Sequence, residues 1–121
     1  MKVLIVDDDI LNQIVLEEML LMLFDGLDIS VESSALDVLA REDLDSFDLV
    51  LSDINMPKMD GMQLYTALRE DKNFTKPILA ITALAVDGER ERILFHGFDD
   101  YIAKPIDVSN LESTLIPYIK S

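Results

Sequence analysis

The 121-residue chain contains no cysteine, which removes disulfides, zinc–thiolate sites, iron–sulfur clusters and thiol nucleophiles together. No apolar run approaches the roughly 20 residues needed to span a bilayer. The opening Met1-Lys2-Val3-Leu4-Ile5-Val6-Asp7 has an apolar stretch too short for a signal peptide. Glycine is scarce, at 26, 61, 88 and 97, and never forms the G-x-G-x-x-G or G-x-x-x-x-G-K-[ST] loops that cradle nucleotide phosphates. Bases are scarce as well: 10 stand against 24 acids, a net charge of −14. A nucleic-acid backbone and an anionic membrane carry the same sign, so neither is expected as a direct partner. There is no internal repeat, low-complexity tract or linker. Half the residues are apolar, enough to fold without help. The expectation is a soluble cytoplasmic domain over residues 1–121.

The acids are unevenly placed. Residues 1–53 hold 14 acids and two bases, net −12, whereas residues 54–121 hold 10 acids and eight bases, net −2. Aspartate outnumbers glutamate sixteen to eight. Aspartate is a poor helix former that favours caps, turns and metal ligation. Solubility and loop ends account for most of these residues. They do not account for Asp7-Asp8-Asp9 directly after a hydrophobic run.

Short apolar runs alternate with helical patterns throughout. Lys2–Val6 reads as a strand buried on both faces. Ile10 to about Phe24 reads as a helix, with Asp9 as N-cap and Gly26 just past its end. Residues 28–33 form a weaker strand and residues 34–43 a short helix. Residues 48–51 form a second buried strand, which leads into Ser52-Asp53. After a loop with Pro57 and Gly61 comes a helix from Met62 to about Asp71. Strand 77–82, helix 87–96, strand 100–103 and helix 108–119 complete the chain. Five β-α units in succession predict an α/β fold, a doubly wound parallel sheet in the flavodoxin-like order 2-1-3-4-5 with five helices.

In such sheets the ligand site lies beyond the carboxyl ends of the strands, near the switch between the first and third. Asp7-Asp8-Asp9, Asp53, Thr82 and Lys104 are delivered to that edge. Asp9 fits a capping role. Asp7, Asp8 and Asp53 together do not, because clustered like charges raise one another's pKa unless a cation neutralises them. Carboxylates with a carbonyl make a hard oxygen site suited to Mg2+. Lys104 and Thr82 supply donors for phosphoryl oxygens, and a carboxylate nucleophile there can form an acyl phosphate.

At these residues the sequence resembles the response-regulator receiver domains of two-component signalling. The matching stretches are Val3–Asp9, Asp48–Gly61 (with Ser52-Asp53-Ile54-Asn55-Met56-Pro57), Pro77–Ala83 and Asp99–Pro105, in an order that covers essentially the whole chain. The resemblance implies that Asp53 is the phosphoacceptor, fed by a sensor histidine kinase or a histidine phosphotransfer protein. It implies that Asp7 and Asp8 serve Mg2+ and that Asn55 gives the metal its backbone carbonyl. Thr82 and Tyr101 would be the switch pair, Lys104 would pair with the phosphate, and Lys104-Pro105 resembles a bond the family keeps cis. Small Ala83 would leave the phosphate reachable. Catalysis would be limited to the domain's own phosphorylation and dephosphorylation, so it is not expected to be an enzyme in the ordinary sense. The sequence departs from the family pattern between the second strand and second helix, where Val31–Leu36 runs on without the usual extra residues.

Other functions are less well served. A small Mg-dependent phosphatase with an aspartyl nucleophile needs a second acid two residues after Asp53, where Asn55 stands. A flavodoxin-like electron carrier needs bare backbone donors in the first β-α loop, which is acidic here. A phosphorylation-independent adaptor would keep the fold without the chemistry.

On the first helix Val15, Leu16, Met19, Leu20 and Leu23 fit one inward stripe. That leaves Ile10, Leu11, Ile14, Leu21 and Met22 either under a broad packed face or as a surface; family analogy makes Ile10, Leu11 and Ile14 the docking site for the phosphodonor. His96 before Gly97 suits a helix C-terminus, and Met56 and Met59 fit loop packing. The fourth helix, with Asp87–Arg92 in mixed charge, belongs to the face the family remodels for an unknown output partner or a phosphorylation-dependent homodimer.

Overall fold

The computed structural model describes residues 1–83 and 88–119. Within them β1 (Lys2–Val6), β2 (Asp28–Glu32), β3 (Leu49–Asp53), β4 (Ile78–Thr82) and β5 (Asp100–Ala103) alternate with α1 (Ile10–Leu23), α2 (Ala35–Leu39), α3 (Gly61–Glu70), α4 (Glu89–His96) and α5 (Val108–Leu115). All strand pairs are parallel, and the order is β2-β1-β3-β4-β5. The apolar strands are central and the mixed ones lie at the edges, as their composition requires.

The two-residue period of the strands sorts the core into two layers. Leu4, Val6, Val50, Ile78 and Ala80 face α2, α3 and α4 through Val38, Leu64, Leu68 and Ile93. Val3, Ile5, Leu49, Leu51, Leu79 and Ile81 face α1 and α5 through Leu16, Leu20, Leu111 and Leu115. Each strand therefore ends with a side chain assigned to one layer or the other, which decides where the polar residues beyond it point.

Several element ends differ from the sequence reading. β3 continues through Ser52 and Asp53, because Ser52 pairs with Val6 and Asp53 with Ile81. Asp53 is thus part of the sheet rather than of the loop. α2 is shorter than the helix expected over residues 34–43: it runs from Ala35 and stops at Leu39, and a 3-10 turn follows at Leu44–Ser46. Arg41 draws the intervening chain back to β2, with its guanidinium 2.6 Å from Glu32 and 2.8 Å from Asp43. α5 ends at Leu115, ahead of Pro117, which has no N–H to continue the helix. α4 is described from Glu89; the expected start at Asp87, and its pairing with Arg90, lie outside the described residues.

α1 also corrects the sequence reading. Val15, assigned to the inward stripe, is 39% exposed, and Leu16 and Leu20 carry the burial instead. Ile10, Leu11, Ile14, Leu21 and Met22 are all exposed, so no broad packed face covers them. His96 shares its Nε2 between the Met62 carbonyl and the Thr66 hydroxyl, both at 3.0 Å, tying α4 to α3. Met56 is buried and Met59 packs on the same core.

Candidate functional site

Register builds the site. Val6 lies beside Ser52, so the next residues, Asp7 and Asp53, meet at the carboxyl edge of the sheet. Both share the strand parity of the residues that face α1 and α5. Thr82 pairs with Ala103, and the Lys104 N–H donates to the Thr82 carbonyl at 2.8 Å. Lys104 has the same parity as Ile102, whose side chain lies in the α1–α5 layer. Its ammonium comes 3.3 Å from Asp53 Oδ2 and 3.7 Å from Asp7 Oδ2. The Lys104-Pro105 peptide is cis.

Local turns fix the carboxylates. Asp7 Oδ1 accepts the Asp9 N–H at 2.9 Å, an Asx turn that reverses the chain out of β1. Asp9 caps α1 by accepting from Leu11 and Asn12. Asp53 Oδ1 accepts the Asn55 N–H at 3.3 Å. Farther along, Gly61 starts α3 directly over the end of β3, donating to the Ile54 carbonyl at 2.9 Å. A Cβ at this position would overlap the Asp53 carbonyl and lie 2.8 Å from Ile54 Cα, so glycine lets the helix sit against the site.

One carboxylate oxygen each from Asp7, Asp8 and Asp53 falls within 4.8 Å of the others. Asp7 and Asp53 are buried, while Asp8 is exposed. Burial pushes the Asp53 carboxyl up from its ordinary value; Lys104 pulls it down, and Asp7 pushes it up again. For Asp7, burial again raises the pKa most, the Asp9 amide and Lys104 oppose it, and Asp8 and Asp9 add to the rise. Among the described residues, the Lys104 ammonium thus pairs with the two desolvated carboxylates, and the exposed Asp8 carboxylate stands beside them. Such a set of hard oxygens could hold a divalent cation.

The remaining expected residues fall around this pocket. Thr82 is buried at the end of β4. Tyr101 is half-buried against the α2–α4 layer, with the Arg90 guanidinium 5.7 Å from its ring centroid. Asn55 is exposed, two residues beyond Asp53. Ile10, Leu11 and Ile14 are 67%, 67% and 51% exposed on the first turns of α1, next to the acids but not within the pocket. A cavity of about 230 Å³ lined by Asn12, Val15, Lys104, Pro105 and Ile106 separates α1 from the loop after β5. Sequence reasoning missed Gln13, whose Nε2 donates to the Asp7 carbonyl at 2.6 Å and to Ser33 Oγ at 3.0 Å. Its signal was there: residue 13 is a polar residue three before Leu16 and seven before Leu20, on the buried stripe.

A doubly wound parallel sheet with an acidic pocket at its carboxyl edge, reached by a lysine just past the last strand, defines the structural class. The response regulator receiver domain family matches residues 3–116, and the chain belongs to that family, whose members act in two-component phosphorelays with histidine kinases. It is 35% identical over 118 residues to the sensor histidine kinase RcsC of Salmonella typhi, covering 98% of this chain and 12% of that protein. The chain therefore spans about an eighth of that relative's length. Among solved structures, the receiver domain of the sensor histidine kinase PA1611 from Pseudomonas aeruginosa PAO1 superposes with a TM-score of 0.81 and 32% identity, covering 99% of this chain and 98% of that one. That structure holds a magnesium ion coordinated in its active-site cleft. The chemotaxis protein CheY4 of Vibrio cholerae superposes with a TM-score of 0.83 and 27% identity, covering 98% of each chain. Among the described residues, no helix is long and apolar enough to cross a membrane.

The raised carboxyls have a measurable consequence. Below the ordinary value of 3.8 both acids are protonated in the folded and unfolded chains alike. As pH rises through 3.8 and then through the higher folded values, folded-state stability is lost, and it stays lost at neutrality without a cation. In metal-free buffer, the melting temperature of Asp53→Asn should match wild type below pH 3.8 and exceed it increasingly toward neutral pH. A divalent cation should narrow the gap. A gap that does not change with pH contradicts this electrostatic picture.

Proposed function

We propose that Asp53 accepts a phosphoryl group from the phosphohistidine of a sensor histidine kinase or a histidine phosphotransfer protein. The observation that carries this reading is the convergence of Asp7, Asp8 and Asp53 within 4.8 Å with Lys104 at 3.3 Å from Asp53. In this reading Asp7, Asp8, Asp53 and the Asn55 backbone carbonyl hold Mg2+, consistent with the donor set and with the ion in the cleft of the PA1611 receiver. When bound, Mg2+ offsets the charge on the acids and on the phosphoryl oxygens.

The chain's own residues do the rest. A carboxylate oxygen of Asp53 attacks phosphorus in line, the phosphorus–nitrogen bond of the donor breaks, and the freed imidazole takes a proton from solvent. Burial favours this step, because it strips water from the nucleophile and leaves Lys104 as a fixed positive partner for the incoming oxygens. The reverse half is hydrolysis: water attacks phosphorus, the acyl phosphate opens, and inorganic phosphate leaves Asp53 as a carboxylate. Apart from this cycle the domain catalyses nothing, and it serves as a cytoplasmic signalling module.

The proposal has two further parts. Thr82 and Tyr101 share a strand parity on adjacent strands, and the Thr82 hydroxyl moving toward the phosphoryl group would draw Tyr101 inward, changing the α4–β5–α5 surface seen by an output partner or a second copy. Ile10, Leu11 and Ile14, with the groove beside Pro105 and Ile106, form an apolar rim round the pocket. They dock the helices that carry the donor histidine, and the net −12 half of the chain favours a donor with a basic rim.

Incubation with acetyl phosphate followed by intact mass tests the chemistry. Wild type should gain one phosphoryl group when Mg2+ is present and none when it is chelated. Asp53→Asn should gain none, whereas Thr82→Ala should still be phosphorylated. A full gain on Asp53→Asn sinks the assignment. For docking, burying the exposed half of Ile14 contributes about 0.8–1.5 kcal/mol, so Ile14→Glu should slow transfer from the cognate donor roughly five- to tenfold while leaving acetyl phosphate labelling intact. Wild-type transfer rates in that variant would remove α1 from the interface.

A further inference from the structure

Gln13 occupies a position where α1 would otherwise bury an apolar side chain. Instead its amide reaches the main-chain carbonyl of Asp7 at 2.6 Å and Ser33 Oγ at 3.0 Å. Three pieces of chain therefore meet at one side-chain amide: the end of β1, the first turns of α1, and the connection from β2 to α2. That connection is short. β2 ends at Glu32, whose carbonyl accepts the Asp7 N–H at 3.1 Å, and Ser34 already caps α2 by accepting from Asp37. Ser33 is left between them, facing Gln13.

Both ends of Asp7 are thereby held. Its N–H is tied to β2, its carbonyl to Gln13, and its Oδ1 to the Asp9 amide. With the Asp7 peptide fixed, the direction in which the chain delivers the exposed Asp8 carboxylate is fixed as well. We propose that Gln13 is a positioning residue for the divalent cation. It does not touch the ion but sets the Asp7-Asp8 turn that presents two of its three carboxylates. The inference rests on the reading that Asp7, Asp8 and Asp53 hold Mg2+. Groups that orient metal ligands in this way commonly change affinity by 10–100-fold when removed.

Calorimetric titration of the phosphate-free chain with Mg2+ tests it, alongside thermal unfolding in metal-free buffer. Gln13→Met keeps the length and packing but loses the donor, and should bind Mg2+ roughly tenfold more weakly. Gln13→Arg restores a donor within reach of the Asp7 carbonyl and should recover most of that loss. A purely structural role would lower the metal-free melting temperature of Gln13→Met and leave its Mg2+ affinity at the wild-type value; that result overturns the proposal. So does equal weakening in the Met and Arg variants. In wild type, the Gln13 side-chain amide resonances should shift on saturation with Mg2+, a readout that stands even if Gln13→Met fails to fold; unmoved resonances contradict the proposal. A wild-type chain that binds no Mg2+ brings down the reading of the acidic pocket itself, and is distinguished from the other outcomes by that variant-independent loss.

Discussion

Everything else in the molecule is arranged around a repulsion. Asp7, just past β1, and Asp53, at the end of β3, are buried neighbours with Asp8 within 4.8 Å, and the loop after β5 brings the Lys104 ammonium to them. Sheet register compels the meeting, since the Val6–Ser52 pair leaves no other place for the two residues that follow. An arrangement that raises both carboxyl pKa values costs folding stability at neutral pH. Here it leaves the pocket receptive to a cation and Asp53 poorly solvated, which the proposed acceptor role would use.

The alternation of the strands separates two tasks. Asp7, Asp53 and Lys104 have the parity of the layer under α1 and α5, where charge is gathered. Thr82 and Tyr101 have the parity of the layer under α2, α3 and α4. The two sets meet through the backbone, where the Lys104 N–H bonds the Thr82 carbonyl. The charged pocket on one side of the sheet edge is thus one hydrogen bond from residues packed against the other side. Arg90, stacked over the Tyr101 ring, links that second side to α4.

Much of this was legible in the sequence, and the reasons are local. Buried parallel strands are continuous apolar runs, so β1, β3 and β4 could be read directly, and the polar residue ending each run named the pocket. What escaped was long-range. The end of α2 depends on Arg41 reaching back to Glu32 and Asp43, which no periodicity encodes. Val15 fits an inward stripe by spacing, yet it stays 39% exposed at the groove beside Pro105 and Ile106. Gln13 reads as a polar interruption of a stripe until the β2–α2 connection supplies Ser33 as its partner. The apolar exposure of Ile10, Leu11 and Ile14 was left open by composition, because only the packing of α5 and its loop decides whether a surface is covered.

The central claim is that the phosphoryl group goes to Asp53 and to no other acid in the pocket. Borohydride reduction of the phosphorylated chain converts an aspartyl phosphate to homoserine, and peptide mass spectrometry locates the converted residue. Homoserine should form at position 53, and only when Mg2+ accompanied the phosphodonor. Homoserine at position 7 or 8, or at position 53 in equal yield without Mg2+, would contradict it.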